Sequence, residues 1–379
     1  MHAEDPIYLD YNASTPLLPE VVDAMLPWLR GGFGNPSSSH VYGRRARAAI
    51  EAARAEVAAL IGCAPEELVF TSGGTEANNL AIRGVAEALP DRPQIITSNI
   101  EHPATMRCCV ELSKRKNRVS IVRADAEGRV RAEDVARELS DATGVITVIH
   151  ANNETGVLQP IEEITRAAWR AGAVVHTDAA QSVGKVPIHV ATLGVDLLSI
   201  AGHKLYAPKG VGALFIRKDM PIAPFMVGAG HERGIRPGTE NVPAIVGLGV
   251  AAARAARDLE EEGARVKVLR DKLFVLLRER VPGLLLNGHA DKRLPNTLNV
   301  RFPRVSGTAL LAEAAEVAAS TGSACHDGHE AASSVILAMG VKPEEALGSV
   351  RLTLGRGTTE AESTRAAEAL AAAWRKLAR

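Results

Sequence analysis

Apolar positions along this chain follow two alternating rhythms. Short apolar runs of strand length, LVF (Leu68 to Phe70), QIITS (94–98), VSIVRA (119–124), VITVIHA (145–151), AVVHTD (173–178), LLSIAG (197–202) and VGALFIR (211–217), are separated by longer stretches with helical spacing. In YGRRARAAIEAARAEVAALIG, Ala46, Ile50, Ala53, Val57 and Leu60 recur on one helical stripe before Gly62 ends the run. Apolar strands alternating with amphipathic helices predict an α/β fold, a doubly wound and mostly parallel sheet covered by helices.

From Val242 the rhythm changes. The stretch 242–281 reads as helix throughout, too long for one ordinary globular helix, and a kink or break is expected near Gly263. Beyond it NTLNVRF (296–302), TALLAEAA (308–315), VAASTG (317–322), SVRLTLG (349–355) and a last helix over 359–378 predict a smaller α+β unit. The expected division is a large domain over 15–255 and a small domain made of 1–14 and 256–379.

A chain of 379 residues has room for roughly two ordinary domains. Lysine plus arginine (44) balances aspartate plus glutamate (44), so no net field favours nucleic acid or an anionic membrane, and a small ligand is expected. The four cysteines, Cys63, Cys108, Cys109 and Cys325, have neither paired CxxC spacing nor the density of a disulfide framework, which fits a reducing cytosol. MHAEDPIYLDYN lacks the basic and apolar regions of a secretory signal, and no run of about 18 apolar residues could span a bilayer, so a soluble, cytoplasmic protein is expected.

The candidate chemistry sits where strands end. In TSGGTEANN, Gly73 and Gly74 allow a tight turn and Thr75 opens a helix whose free amides can hold a phosphate; taken alone, the turn reads equally well as a capped helix start. Asp178 ends the AVVHTD strand at the ligand-binding edge of such a sheet, where a carboxylate can keep a pyridine nitrogen protonated; its other reading is a solvated loop aspartate. Gln181, one turn on, can donate to a phenolate oxygen or lie at the surface. Lys204 closes the apolar run LLSIAGHK after His203, and a buried lysine is costly unless paired or engaged as a Schiff base; the alternative is a side chain snorkelling from a strand end. His102 in NIEHPAT can stack on a planar cofactor and pass protons, or simply cap a turn.

Cys325, after the small residues STGSA, is a candidate nucleophile on a loop, or else a buried cysteine. His326 and His329 beside it form a Cys-His-x-x-His cluster without a distant fourth ligand, so no metal is expected; their expected effect is to raise the thiolate fraction of Cys325. The other three cysteines read as packing residues. Lys204, Asp178 and Cys325 together describe pyridoxal phosphate chemistry performed on sulfur.

Eleven segments extend this reading: YLDYNASTPL (8–17), GNPSSSH (34–40), FTSGGTEANNLAI (70–82), EHPAT (101–105), ANNETGVLQPI (151–161), HTDAAQSVGK (176–185), GHKLYAPKGVGAL (202–214), GHERGIRPGTEN (230–241), LPNTLNV (294–300), STGSAC (320–325) and SVRLTLGRGTT (349–359). In order and spacing, over nearly the whole chain, they resemble the cysteine desulfurases, fold-type I pyridoxal phosphate enzymes of the class V aminotransferase superfamily. The resemblance implies a seven-stranded large domain and conversion of L-cysteine to L-alanine, with sulfur moving to Cys325 as a persulfide and onward to a protein or small-thiol acceptor. It further implies a homodimer, Lys204 as the cofactor lysine and proton carrier, and His102 as the stacking acid-base residue. Gly74, Thr75, His203 and Thr239 become phosphate contacts, Thr239 across a dimer interface; Asp178 and Gln181 become ring partners, and Asn153 and Arg351 hold the substrate carboxylate.

Two departures stand out. Ala201 occupies the position where many members carry a serine, which removes one phosphate hydroxyl contact. The chain stops at Arg379 after its last helix, without the extension by which housekeeping members dock an iron-sulfur scaffold, and this argues against delivery to such a scaffold. The run Cys325-His326-Asp327-Gly328-His329 is also similar to selenocysteine lyases, which makes L-selenocysteine the alternative substrate. A transaminase or other lyase on the same scaffold, and a non-catalytic pyridoxal phosphate-binding partner in a sulfur pathway, are the more distant readings.

Overall fold

The computed structural model describes residues 5–322 and 331–379. After the two-residue strand β1 (Ile7–Tyr8), seven strands build one sheet: β2 (Leu68–Thr71), β3 (Gln94–Ser98), β4 (Arg118–Val122), β5 (Thr143–Thr147), β6 (Val174–Asp178), β7 (Leu197–Ala201) and β8 (Gly212–Ile216). Their order is β2-β8-β7-β6-β5-β3-β4, and β8 alone runs against the others. Successive side chains of a strand point to opposite faces, and here both faces are covered. Phe70, Ile96, Ile146, Val175, Leu198 and Phe215 enter one core, while their neighbours Val69, Ile95, Val145, Val174, Leu197 and Leu214 enter the other. That double burial is why these strands read as unbroken apolar runs.

A second group of strands follows: β9 (Leu285–Leu286), β10 (Thr297–Arg301), β11 (Val317–Ala318) and β12 (Ser349–Thr353). β12, β10 and β9 form an antiparallel sheet in that order, and β11 pairs in parallel with β1. Leu298, Val300, Val350 and Leu352 pack with Leu370 and Trp374 of the C-terminal helix Glu360–Leu377 and with Ile7 and Leu9 from the chain's start. The N-terminal segment thereby crosses from this core to the edge of the large sheet.

The expected break near Gly263 does not occur. The helix Val242–Arg280 runs unbroken for 39 residues. Its first part buries Val242, Ile245, Leu248, Ala251 and Ala255 against the large sheet's core, and its second part buries Val266, Leu269, Leu273 and Leu277 in the other. A mid-helix glycine costs about 1 kcal/mol, and apolar burial on both sides of Gly263 exceeds that. Arg265 adds a clamp by donating to the carbonyls of Gly355, Arg356 and Thr358.

One buried ion pair ties the helix Val41–Ile61 to β2. Arg54 donates through both Nη atoms to Glu232 at 2.8 Å, and Glu232 Oε2 also accepts from the Phe70 amide at 2.8 Å. The two side chains are 8% and 2% exposed. Glu232→Ala leaves Arg54 its second partner Glu51 and the Leu68 carbonyl but leaves the buried Phe70 amide without its acceptor, so a cost of about 1–3 kcal/mol is expected, read as a lowered midpoint in urea. A loss below about 1 kcal/mol, the value of an exposed pair, would refute this account.

Candidate active site

The carboxyl ends of the parallel strands converge on a cavity of about 290 Å³. β2 leads into Gly74 and Thr75, β3 into His102, β5 into Asn153, β6 into Asp178 and β7 into Lys204; Arg351 enters from β12. Ligands bind at this edge of open α/β sheets because loops leave it in diverging directions and helices begin there.

The turn after β2 depends on glycine. Gly73, at φ +148°, caps the helix Gly74–Ala88 in a conformation that side chains avoid, and a Cβ on Gly74 would lie 3.2 Å from the Ala201 methyl. The first amides of that helix, unpaired within it by construction, therefore open at the cavity rim beside the exposed Thr75.

Asp178 is 3% exposed, which excludes the solvated-loop reading. Its Oδ2 accepts from Asn78 Nδ2 at 2.6 Å and its Oδ1 from the Ala180 amide at 3.0 Å, so the carboxylate is fixed in orientation. Asn78 Oδ1 is buried without a hydrogen-bond partner among the described residues. Gln181 is likewise buried: Nε2 donates to the Asn12 carbonyl at 3.0 Å and Oε1 accepts from Lys185 Nζ at 3.0 Å.

Lys204 lies in a single helical turn directly after β7, and its Nζ donates to the carbonyls of Asn12 and Ala13 at 2.5 and 2.7 Å. Burial, aided by Arg351 and opposed by Asp10 and Asp178, brings its ammonium down to about 8. His102 satisfies both readings made of it. It caps the helix Pro103–Ser113, Nδ1 accepting from the Ala104 amide at 3.1 Å, and it lines the cavity. With Nδ1 committed as an acceptor, the neutral ring carries its proton on Nε2. Burial lowers its pKa, Asp178 opposes that and Lys204 reinforces it. His203, half-buried at the wall, is lowered to about 4, first by burial and then by Lys204.

Arg351 is held by Asp10 (Nη2 to Oδ1, 2.7 Å) and by the Asn153 carbonyl (Nη1, 3.0 Å), with Nε buried and unpartnered among the described residues. Thr239 is exposed and does not line the cavity. Cys325, His326 and His329 lie outside the described residues. Cys63, Cys108 and Cys109 pack in or against apolar cores, as the sequence reading has it.

Besides Asn78, three residues at the site carried no recognisable sequence signal. Asn12 donates through Nδ2 to Asn153 O and Thr297 Oγ1 and accepts at Oδ1 from Lys185 and Asn296, joining both cores at Lys204. Lys185, brought down to about 7 by burial and then by Lys204 and Arg351, completes that network. Glu101, pushed up to about 8 by burial and by Asp178, accepts from Ser98 and the Ile149 amide behind His102.

Comparison with known proteins gives this arrangement its family. A model described as aminotransferase class-V matches residues 7–365. A cysteine desulfurase of Trichormus azollae is 42% identical over 366 residues, 96% of this chain and 92% of that one. The chain belongs to the class-V aminotransferase family. Among solved structures, a NifS-like protein matches this family member with a TM-score of 0.91 at 35% identity, over 97% of this chain and 98% of that one. SspA, solved in complex with cysteine, matches with a TM-score of 0.82 at 35% identity, over 93% and 99%. The doubly wound, mostly parallel seven-stranded fold expected from sequence is the fold of these relatives. No helix among the described residues is long and apolar enough to cross a membrane.

Proposed function

We propose that this class-V family member is a pyridoxal phosphate-dependent cysteine desulfurase that converts L-cysteine to L-alanine and receives the sulfur on Cys325 as a persulfide. The observation that carries the reading is the meeting of an amine (Lys204), a fixed carboxylate (Asp178) and a buried guanidinium (Arg351) on one cavity.

The residues present fit the cofactor. The open amides at Gly74 and Thr75, with His203, suit a phosphate; Asp178 suits a protonated pyridine nitrogen; Asn78 Oδ1 is a buried acceptor lacking a donor. Ala201 contributes only a methyl to the wall; in this reading the phosphate is held by these groups, with Thr239 of a second subunit of a homodimer as a further contact. When bound, pyridoxal phosphate supplies an aldehyde for Lys204 and a ring that accepts electrons.

The chain's own groups do the rest. Arg351, beside Asn153, receives the substrate carboxylate in a bidentate grip, and its pairing with Asp10 keeps the guanidinium aimed. Lys204, depressed to about 8, is available as a neutral amine near physiological pH to take the proton from the substrate Cα. The Cys325 thiolate attacks the substrate sulfur, an S–S bond forms as the substrate C–S bond breaks, and the residual carbon skeleton takes up protons to give alanine. His102, with its Nε2 proton, moves protons at the substrate sulfur. A protein or small-thiol acceptor then takes the sulfur. The division into 15–255 and 1–14 with 256–379 belongs to the same proposal, supported by the separate core around β10 and β12.

Incubating the purified protein, loaded with pyridoxal phosphate, with L-cysteine and separately with L-selenocysteine tests the reading. Alanine from L-cysteine with persulfide on Cys325 is expected; turnover confined to L-selenocysteine would replace it with the lyase reading. Cofactor binding without turnover of either would replace it with a non-catalytic role.

A further inference from the structure

Lys185 has no part in the chemistry above, and its amine sits behind the cavity wall, where Nζ donates to Gln181 Oε1 at 3.0 Å and to Asn12 Oδ1 at 3.2 Å. Both recipients line the cavity; Lys185 does not. The other end of the Gln181 amide is committed as well. Its Nε2 donates at 3.0 Å to the Asn12 carbonyl, the oxygen that also accepts from Lys204 Nζ at 2.5 Å. The backbone brings the two side chains together: Gln181 and Lys185 stand on the turns after β6, and Gly184 between them has φ +72°, where a side chain would run into Leu205, the neighbour of Lys204. The hold on Asn12 Oδ1 leaves Asn12 Nδ2 to meet the Asn153 carbonyl at 3.3 Å, the oxygen that Arg351 also holds.

From this geometry we infer that Lys185 is a positioning residue for Gln181: by holding Oε1 it fixes the amide with Nε2 beside Lys204, where Nε2 can donate to the phenolate oxygen of pyridoxal phosphate. The inference rests on the reading of the cavity as a pyridoxal phosphate site with Gln181 as a ring partner. A side-chain amide has one accepting end and one donating end, and the two neighbours of Gln181 dictate which is which. A main-chain carbonyl only accepts, and an ammonium only donates. Reversed, the amide would set its oxygen against the Asn12 carbonyl and its nitrogen against Lys185, so a single sense satisfies both. Nε2 carries two hydrogens; the Asn12 carbonyl takes one, and the other is available to an acceptor in the cavity. Burial, then Lys204 and Arg351, brings Lys185 down to about 7. When neutral it keeps two hydrogens, one for each oxygen it meets, so the hold does not depend on its charge.

The test uses the pyridoxal phosphate-loaded enzyme and reads hydrogen exchange at Gln181 Nε2 by NMR together with kcat for alanine formation, in Lys185→Met, Gln181→Ala and the double variant. The chain has three glutamines, Gln94, Gln159 and Gln181, so with glutamine labelled by 15N in its side chain the signals missing from Gln181→Ala are those of Gln181. Lys185→Met, similar in length and without a donor, is expected to speed the exchange by more than about tenfold and to lower kcat roughly tenfold. In the Gln181→Ala background the same substitution is expected to change kcat by less than about twofold, because residues that act as one unit are not additive. A merely structural role would add its loss in either background. Should Lys185→Met fail to fold, Lys185→Gln, which can still donate to Asn12 Oδ1 but can face Gln181 in either sense, is expected to speed the exchange by more than about threefold. Native exchange or native kcat in the folded Lys185 variants would overturn the inference, as would an equal loss of kcat with and without Gln181. If the wild-type enzyme made no alanine, the desulfurase reading would fall and the exchange measurement alone would decide whether Lys185 holds Gln181.

Discussion

Replacing Lys204 with alanine is expected to abolish both the absorption of covalently held pyridoxal phosphate and the formation of alanine from L-cysteine. Lys204 is the amine that lines the cavity; Lys185, the nearest substitute, is tied to Asn12 Oδ1 and Gln181 Oε1 and does not line it. Loss of the proton carrier alone lowers the rate by roughly 10²–10⁴-fold, and loss of covalent attachment lowers it further. The wild-type protein also has a pH signature. A neutral amine is the form that captures an aldehyde, and burial together with Arg351 brings Lys204 down to about 8. Covalent capture should therefore rise with pH through about 8 and level off above it, well before the 10.4 or so of an ordinary lysine. Titrating cofactor absorbance against pH measures this directly, and a band that persists in Lys204→Ala would show that another amine does the work.

The second large effect is expected at Cys325. Cys325→Ser should retain cofactor absorbance yet lower alanine formation from L-cysteine by roughly 100-fold or more, since a serine hydroxyl is scarcely ionised at neutral pH and is a poor nucleophile toward sulfur. No other cysteine can stand in. Cys63 packs against the large core, Cys108 and Cys109 are buried against the sheet, none of the three lines the cavity, and burial raises their thiols to about 12, 11 and 12. The measurement is alanine formed per enzyme under saturating L-cysteine. Native rates in the variant would remove Cys325 from the mechanism, and activity retained only on L-selenocysteine would favour the lyase reading.

Much of this architecture was legible because its signals are local. Six of the seven strand runs announce themselves because each is buried on two faces, the exception being the edge strand β4, and Asp178 and Lys204 were readable because one ends such a run and the other follows one. His102 carried two readings and fulfils both, since a helix cap at the end of a strand's loop is also a cavity wall. What escaped is long-range. Asn78 meets Asp178 across 100 positions of sequence, and nothing in NNL marks it as the group that orients a carboxylate. Asn12 gains its importance only because the N-terminal segment passes between two cores, where its side chain meets partners from 153, 185, 296 and 297. Gly263 misled for the opposite reason. The rule that weakens a helix at glycine is local, whereas the burial that sustains this one comes from packing on either side.

That uninterrupted helix has a mechanical consequence. It is anchored at one end beside the sheet that presents Lys204 and at the other beneath the strand that presents Arg351. With no joint at Gly263, the two halves are coupled by a stiff rod rather than a pivot, so thermal jostling can tilt them together but does little to alter the gap between amine and guanidinium. The spacing into which a small amino acid must fit is thus a property of the scaffold, set before any substrate arrives.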